Sequence, residues 1–200
     1  NTIVVKNESD TFFYNLEKSN DLNLKFLNEL FDNKDLINDY YSPVELNDFP
    51  YPDWGSYVKK FPLRNDFFSL NQKIAVPLLG TRGCPYSCFF YCTYPLQQGR
   101  KVRARSVENI IEEIKYWKKE LNTNKFVFRD PVFSINRKHT IEFCNQIIDQ
   151  KLDITFMVET HLNNLDDEMI PLLKKAGLEL VYVGVESSNH VVLKDMKRFT

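Results

Sequence analysis

Residues 74–92 read Ile74-Ala75-Val76-Pro77-Leu78-Leu79-Gly80-Thr81-Arg82-Gly83-Cys84-Pro85-Tyr86-Ser87-Cys88-Phe89-Phe90-Tyr91-Cys92. The stretch opens on a short apolar run without alternation, which fits a strand buried on both faces of a parallel sheet. Three cysteines then fall within nine residues, beginning where that strand ends. Gly83 and Pro85 suit a loop that bends sharply around an inorganic core. Three thiolates on one tight loop can meet a single cluster. Cubane clusters usually take four cysteines, so three protein ligands leave one iron open. Open coordination is what a catalytic metal site needs and a structural one avoids. Cys84, Cys88 and Cys92 are the candidate ligands. Two alternatives stand beside this reading. A zinc site would draw a fourth donor from His139 or His161, although the paired cysteines of structural zinc sites are absent. A non-catalytic iron–sulfur electron carrier would more naturally hold four cysteines. The fourth cysteine, Cys144, sits alone on the apolar face of a predicted helix and reads as a small buried hydrophobe.

Downstream of the loop the rhythm is regular. Ser106 is a good N-cap for a helix with Val107, Ile110, Ile111, Ile114, Trp117 and Leu121 on one face. Its acids lie early and Lys118 and Lys119 lie late, as the helix dipole favours. Residues 125–128 predict a second strand, and Ile141, Cys144, Ile147 and Ile148 a second helix. Residues 154–158 predict a third strand, Met169 to Leu173 a third helix closed by Gly177, and residues 180–185 a fourth strand. Residues 189–198 begin a fourth helix. This alternation predicts an α/β fold of about four parallel βα units, either an open sheet or the first part of a barrel. In both, strand C-terminal ends face the active site. Those ends carry Thr81-Arg82-Gly83-Cys84, Arg129-Asp130, Glu159-Thr160 and Glu186-Ser187, a polar or charged set at every one. The short basic run Arg100 to Arg105 predicts a solvated loop or a lid over the cysteines.

Upstream, residues 1–71 are an N-terminal segment and linker, rich in Asn, Asp, Lys and aromatics, and residues 72–200 are the core. Leu22, Phe26, Leu27, Leu30 and Phe31 have helical spacing. Pro43, Pro50, Pro52 and Pro62 interrupt regular structure, and residues 41–71 are expected to pack Phe49, Tyr51, Trp54, Tyr57 and Phe61 on a neighbour. The chain has 200 residues, is 43% hydrophobic and carries a net charge of −1. That balance argues against a nucleic-acid partner. No run is long and apolar enough to span a membrane, and the first residues lack a signal-peptide layout. Clustered rather than scattered cysteines suit a cytoplasmic protein.

The cysteine loop and its surroundings resemble the radical S-adenosylmethionine (SAM) superfamily over about residues 72–200. That family places three cysteines after its first barrel strand, with an aromatic residue just before the third, the place Tyr91 fills. The usual gaps are three residues, then two. Here both gaps are three, so the motif is a variant. Several stretches are similar to the cobalamin-binding subgroup: Pro50-Tyr51-Pro52-Asp53-Trp54, Thr81-Arg82-Gly83-Cys84-Pro85-Tyr86, Gln98-Gly99-Arg100-Lys101-Val102-Arg103, Phe128-Arg129-Asp130-Pro131-Val132-Phe133 and Gly184-Val185-Glu186-Ser187.

The resemblance implies a [4Fe-4S] cluster on Cys84, Cys88 and Cys92, with SAM bound to the open iron. It implies reductive cleavage of SAM for radical chemistry on a small-molecule substrate, with electrons from a reductant such as flavodoxin or ferredoxin. Methyl transfer or ring formation is the implied outcome, assisted by cobalamin in a longer parent; the stretch before the core is too short for a cobalamin domain. The family barrel has six βα units, so this chain resembles a fragment, expected to be inactive alone. Residue by residue, Tyr91 would pack near the adenine. Asp130 and Pro131 lie where many relatives carry a Gly-Gly-Glu segment that meets the SAM amine. Glu159 is a candidate for the ribose or a partner for Arg129. Glu186 and Ser187 would contact the ribose or carboxylate. His161 and His190 read as surface or helix-start residues.

Overall fold

A computed structural model describes residues 14, 15, 17, 18, 44–60, 69–70, 73–88 and 92–198. The predicted helix over Leu22–Phe31, Phe61 and Tyr91 lie outside the described residues.

Four parallel strands carry the fold. They are β2 (Lys73–Leu78), β5 (Lys125–Phe128), β6 (Thr155–Thr160) and β7 (Leu178–Val183), paired in that order. A two-residue strand β1 (Ser69–Leu70) adds antiparallel to β2 at the edge. Two further short strands, β3 (Thr81–Arg82) and β4 (Arg103–Ala104), form a separate antiparallel pair. Each parallel strand lies beside the one before it, with no reversal of order. That is the winding of a partial (β/α) barrel rather than of a doubly wound sheet.

β2, β5 and β6 read as apolar runs because both faces are covered, whereas β7 is largely exposed, with Glu179, Leu180 and Tyr182 open to solvent. Val76, Leu78, Phe126, Phe128, Phe156 and Val158 point to one side and join the main core. Ala75, Val127 and Met157 point to the other and form their own small cluster. Helices α3 (Val107–Glu120), α4 (Arg137–Asp149) and α5 (Met169–Lys175) cover the first face, and α6 (His190–Asp195) follows β7. Their buried stripes are those the periodicity predicts, including Ile110, Ile111, Ile114 and Trp117 on α3 and Cys144 and Ile147 on α4. Four phenylalanines, Phe128, Phe133, Phe143 and Phe156, fill the centre. Their ring centroids lie 4.8–6.1 Å apart, mostly edge to face. Such pairs each add about 0.5–1.5 kcal/mol beyond area burial.

The punctuation is equally local. The Ser106 hydroxyl accepts from Asn109 N–H and caps α3. Asn136 does the same for α4, accepting from His139 N–H. Gly177 follows the end of α5 at φ +109, with no room for a Cβ against the Ile154 carbonyl.

The segment before the core is docked on it. Leu46–Asp48 forms a 3-10 turn and Trp54–Lys60 a short helix, α1. Tyr51 and Trp54 pack on the main core, as the linker reading requires. Tyr51 meets Tyr116 at 5.7 Å, and the Arg82 guanidinium lies 5.2 Å over the Phe49 ring. Tyr57 is exposed, against expectation, and touches Trp54 at only its edge. The Asn47 side chain accepts from Ser106 N–H, tying the linker to the start of α3.

Candidate active site at the strand ends

A cavity of about 420 Å³ opens at the C-terminal ends of β2, β5, β6 and β7. Cys84, Cys88 and Cys92 all line it. The loop that carries them leaves β3 and runs to α2 (Tyr94–Gln98), a short helix with Pro95 in its first turn. Backbone contacts shape the loop. Cys84 N–H donates to Gly99 O at 3.1 Å, Gly83 N–H to Gln98 Oε1 at 3.2 Å, and Arg100 to the Tyr86 carbonyl at 3.1 Å. Gly83 sits at φ +94 with Lys101 O pressed where a Cβ would stand, so no other residue fits there without moving the backbone. The basic run is divided: Arg100 and Lys101 are exposed, as in a solvated loop, and the arginines that follow are held. Arg103 pairs in β4, and Arg105, its side chain 11% exposed, sets its guanidinium on Glu113, the Asn109 side chain and the Leu79 carbonyl.

None of the cysteines forms a disulfide. Burial pushes the Cys84 thiol pKa up, and the nearby Cys92 and Cys88 add to that shift. A cationic metal core is what would reverse it and hold the thiolates. Among the described residues no three His, Cys, Asp or Glu side chains gather as ligands of a single ion. A cubane takes one thiolate at each of several corners, and Cys84, Cys88 and Cys92 all line this one cavity. The histidines weighed as zinc donors have other partners. His139 Nε2 meets the Arg105 carbonyl at 2.8 Å, and His161 Nδ1 accepts from Asn163 N–H at 3.3 Å. Cys144 is in the core, its pKa pushed up to about 12 by burial.

The other predicted residues divide. Pro131, Glu159 and Glu186 line the cavity. Glu159 has the partner foreseen for it: Oε1 lies 2.8 Å from Arg129, while Oε2 accepts from the Tyr94 hydroxyl at 3.4 Å. Glu186 stands on a left-handed backbone, φ +64, at the edge of the cavity. Ser187 does not line the cavity; its hydroxyl accepts from Asn189 N–H. Asp130 is 1% exposed and buried behind the loop rather than on the cavity. Its two oxygens accept from Gly80 N–H at 2.7 Å and the Thr81 hydroxyl at 2.8 Å.

Among the cavity residues that the sequence reading did not assign to the site are His161, Tyr94 and Arg198. His161 does start a 3-10 turn, Leu162–Asn164, but it is buried rather than on the surface. Its ring stacks on Tyr86 at 4.8 Å, and the Tyr86 hydroxyl donates to Asn164 Oδ1 at 3.0 Å. Burial and the nearby Arg198 hold the His161 pKa below its usual value. Tyr94 lies two residues past Cys92, a proximity that would have flagged it. Arg198 bonds the Gly184 carbonyl at 2.6 Å and sits 3.7 Å from Cys88 Sγ. No local pattern marks it, since it arrives from beyond α6.

The radical SAM superfamily model matches residues 78–200. The chain belongs to this superfamily. Membership implies a [4Fe-4S] cluster and SAM as cofactors, and the family is one of enzymes. Among relatives, an anaerobic magnesium-protoporphyrin IX monomethyl ester cyclase of Rubrivivax gelatinosus is 29% identical over 160 residues, 79% of this chain and 28% of that protein. A bacteriochlorophyllide d C-12(1)-methyltransferase of Chlorobaculum tepidum is 31% identical over 140 residues, 66% of this chain and 30% of that protein. The chain therefore spans less than a third of the length of these relatives. In fold it is similar to the radical SAM methyltransferase TsrM of Kitasatospora setae, solved with cobalamin and a [4Fe-4S] cluster bound. The TM-score is 0.56 at 19% identity, covering 60% of this chain and 24% of that one. The cobalamin-dependent radical enzyme OxsB gives a TM-score of 0.53 at 20% identity, covering 62% and 20%. No helix among the described residues is long and apolar enough to cross a membrane.

Proposed function

We propose that Cys84, Cys88 and Cys92 hold a [4Fe-4S] cluster, that SAM occupies the cavity beside them, and that the parent protein performs methyl transfer or ring formation on a small-molecule substrate with the help of cobalamin. The observation that carries this is the opening of all three thiols onto one cavity at the strand ends. When bound, the cluster and SAM together supply reductive cleavage of the sulfonium and hence radical chemistry. The protein's part is positioning and water exclusion. Pro131 and Val132 give the cavity an apolar wall. Glu159, held by Arg129 and Tyr94, offers a fixed carboxylate to the SAM ribose. Glu186 brings a second carboxylate from the end of β7, with Ser187 beside it. Tyr91 is assigned to the adenine on the family pattern alone. Residues 1–71 serve as N-terminal segment and linker, and residues 72–200 as the radical SAM core. A flavodoxin or ferredoxin supplies electrons, in the cytoplasm. Relatives named as methyltransferases and cyclases support the choice of outcome.

The test is anaerobic reconstitution with iron and sulfide. The expected result is the broad visible absorbance of a cluster, with near-stoichiometric iron and sulfide, that changes when SAM is added. A colourless protein carrying zinc would sink the reading.

A further inference from the structure

Asp130 stands outside the cavity, yet it is among the most completely buried charged residues of those described. It occupies the first position after β5 beyond Arg129. Its oxygens reach across to Gly80 and Thr81, the two residues at which the chain turns out of β2 toward the cysteine loop. Cys84 follows three residues later. The same short segment is gripped from its other side. Arg105 N–H donates to Gly80 O at 2.9 Å, and the Arg105 guanidinium donates to Leu79 O at 3.1 Å while paired with buried Glu113. Gly80 makes room for this. A Cβ there would stand 3.2 Å from Asp130 Oδ2 and 3.2 Å from Ile110 Cδ1.

An ionised carboxylate is an expensive way to satisfy one N–H and one hydroxyl. Desolvation opposes it, and here desolvation outweighs the hydrogen bonds that favour the charge. What a carboxylate adds is directional, charge-assisted bonding that is roughly twice as strong as a neutral contact. Both bonds fall on the turn that sets the direction of the chain into Cys84. We propose that Asp130 is a positioning residue that latches Gly80 and Thr81, and so fixes how Cys84 enters the cluster-binding loop. This rests on the radical SAM reading of the three cysteines, and it assigns Asp130 no contact with SAM.

The test uses the 200-residue chain with Asp130→Ala, Asp130→Asn, Thr81→Val and Thr81→Ser, and two readouts. Amide hydrogen exchange is followed by mass spectrometry without cluster. Electron paramagnetic resonance of the reduced, reconstituted protein is recorded with and without SAM. In Asp130→Ala, exchange in residues 79–88 should rise by roughly tenfold or more, with α3 and α4 unchanged. Its cluster spectrum should broaden and lose its response to SAM. Thr81→Val should move both readouts in the same direction, and Thr81→Ser, which keeps the hydroxyl, should restore them. The latch is refuted if Asp130→Ala matches wild type in both readouts, if exchange rises equally in α3 and α4, or if Thr81→Ser behaves like Thr81→Val. Should Asp130→Ala fail to fold, the Thr81 pair decides. If the wild type takes up no cluster, the functional reading fails, and the exchange data alone judge the latch.

Discussion

Gly83→Ala should cost the protein its cluster while leaving its fold. Gly83 precedes the first cysteine at φ +94, and an added Cβ would lie 2.2 Å from Lys101 O and 2.8 Å from its carbonyl carbon. The backbone conformation alone costs a residue with a Cβ about 1–2 kcal/mol. The clash is with backbone, so no side-chain rotation relieves it. Relief requires the arm formed by β3 and β4 to open. Opening breaks the Gly83 N–H bond to Gln98 and the Cys84 N–H bond to Gly99, each worth about 0.5–1.5 kcal/mol. The whole penalty is about 2–5 kcal/mol, concentrated at the mouth of the cavity. The helices α3, α4 and α5 keep their own packing against the sheet, so circular dichroism should be unchanged. Iron bound after anaerobic reconstitution should fall to a small fraction of wild type. Wild-type iron content and absorbance in Gly83→Ala would refute the claim that this arm shapes the cysteine loop.

Further outcomes follow from the same geometry. Cys84→Ala, Cys88→Ala and Cys92→Ala should each abolish the visible cluster absorbance, whereas Cys144→Ala should keep it; in native protein Cys144 should also resist alkylation. Glu113→Ala leaves the Arg105 guanidinium buried without its carboxylate, and unfolding by urea should show a loss of about 3–5 kcal/mol. Asp130 has a pKa raised to about 6 from 3.8, chiefly by burial. Between those values the folded protein binds a proton that the unfolded chain has released, so stability falls as pH rises through that window, by about 3 kcal/mol in total. Asp130→Asn should lack this component, and urea unfolding at pH 4 and pH 7 measures the difference; identical pH dependence in both proteins would contradict it.

Most of the fold was legible because its signals are local. The apolar run at Ile74, the Ser106 cap and the stripe from Val107 to Trp117 each specify an element within a few residues. The third strand was equally plain, since a strand covered on both faces needs no alternation to be recognised; the fourth was expected at 180–185 and runs Leu178–Val183, largely exposed. What escaped was decided at long range. The pairing of Arg103-Ala104 with Thr81-Arg82 depends on a return across 20 residues, and nothing in a basic run announces it. The helix at Trp54–Lys60 hid among prolines that argued for irregular structure. In the site, the cysteines, Pro131 and the Glu159–Arg129 pair were readable because strand ends converge. His161 reads as a surface or helix-start residue; it does start a turn, but its burial depends on Tyr86 stacking on it from far along the chain. Asp130 was assigned to the cavity because position in the chain tells which strand end a residue occupies. It does not tell whether the side chain turns toward the ligand or back beneath the loop.

The central claim is a three-cysteine cluster with one iron open to SAM. Mössbauer spectroscopy of the protein reconstituted with isotopically enriched iron tests it most directly. The prediction is a cluster in which one iron is distinct from the rest and alone changes its signal when SAM is added. Irons that are all equivalent and unmoved by SAM, or a protein that binds no iron at these cysteines, would contradict it.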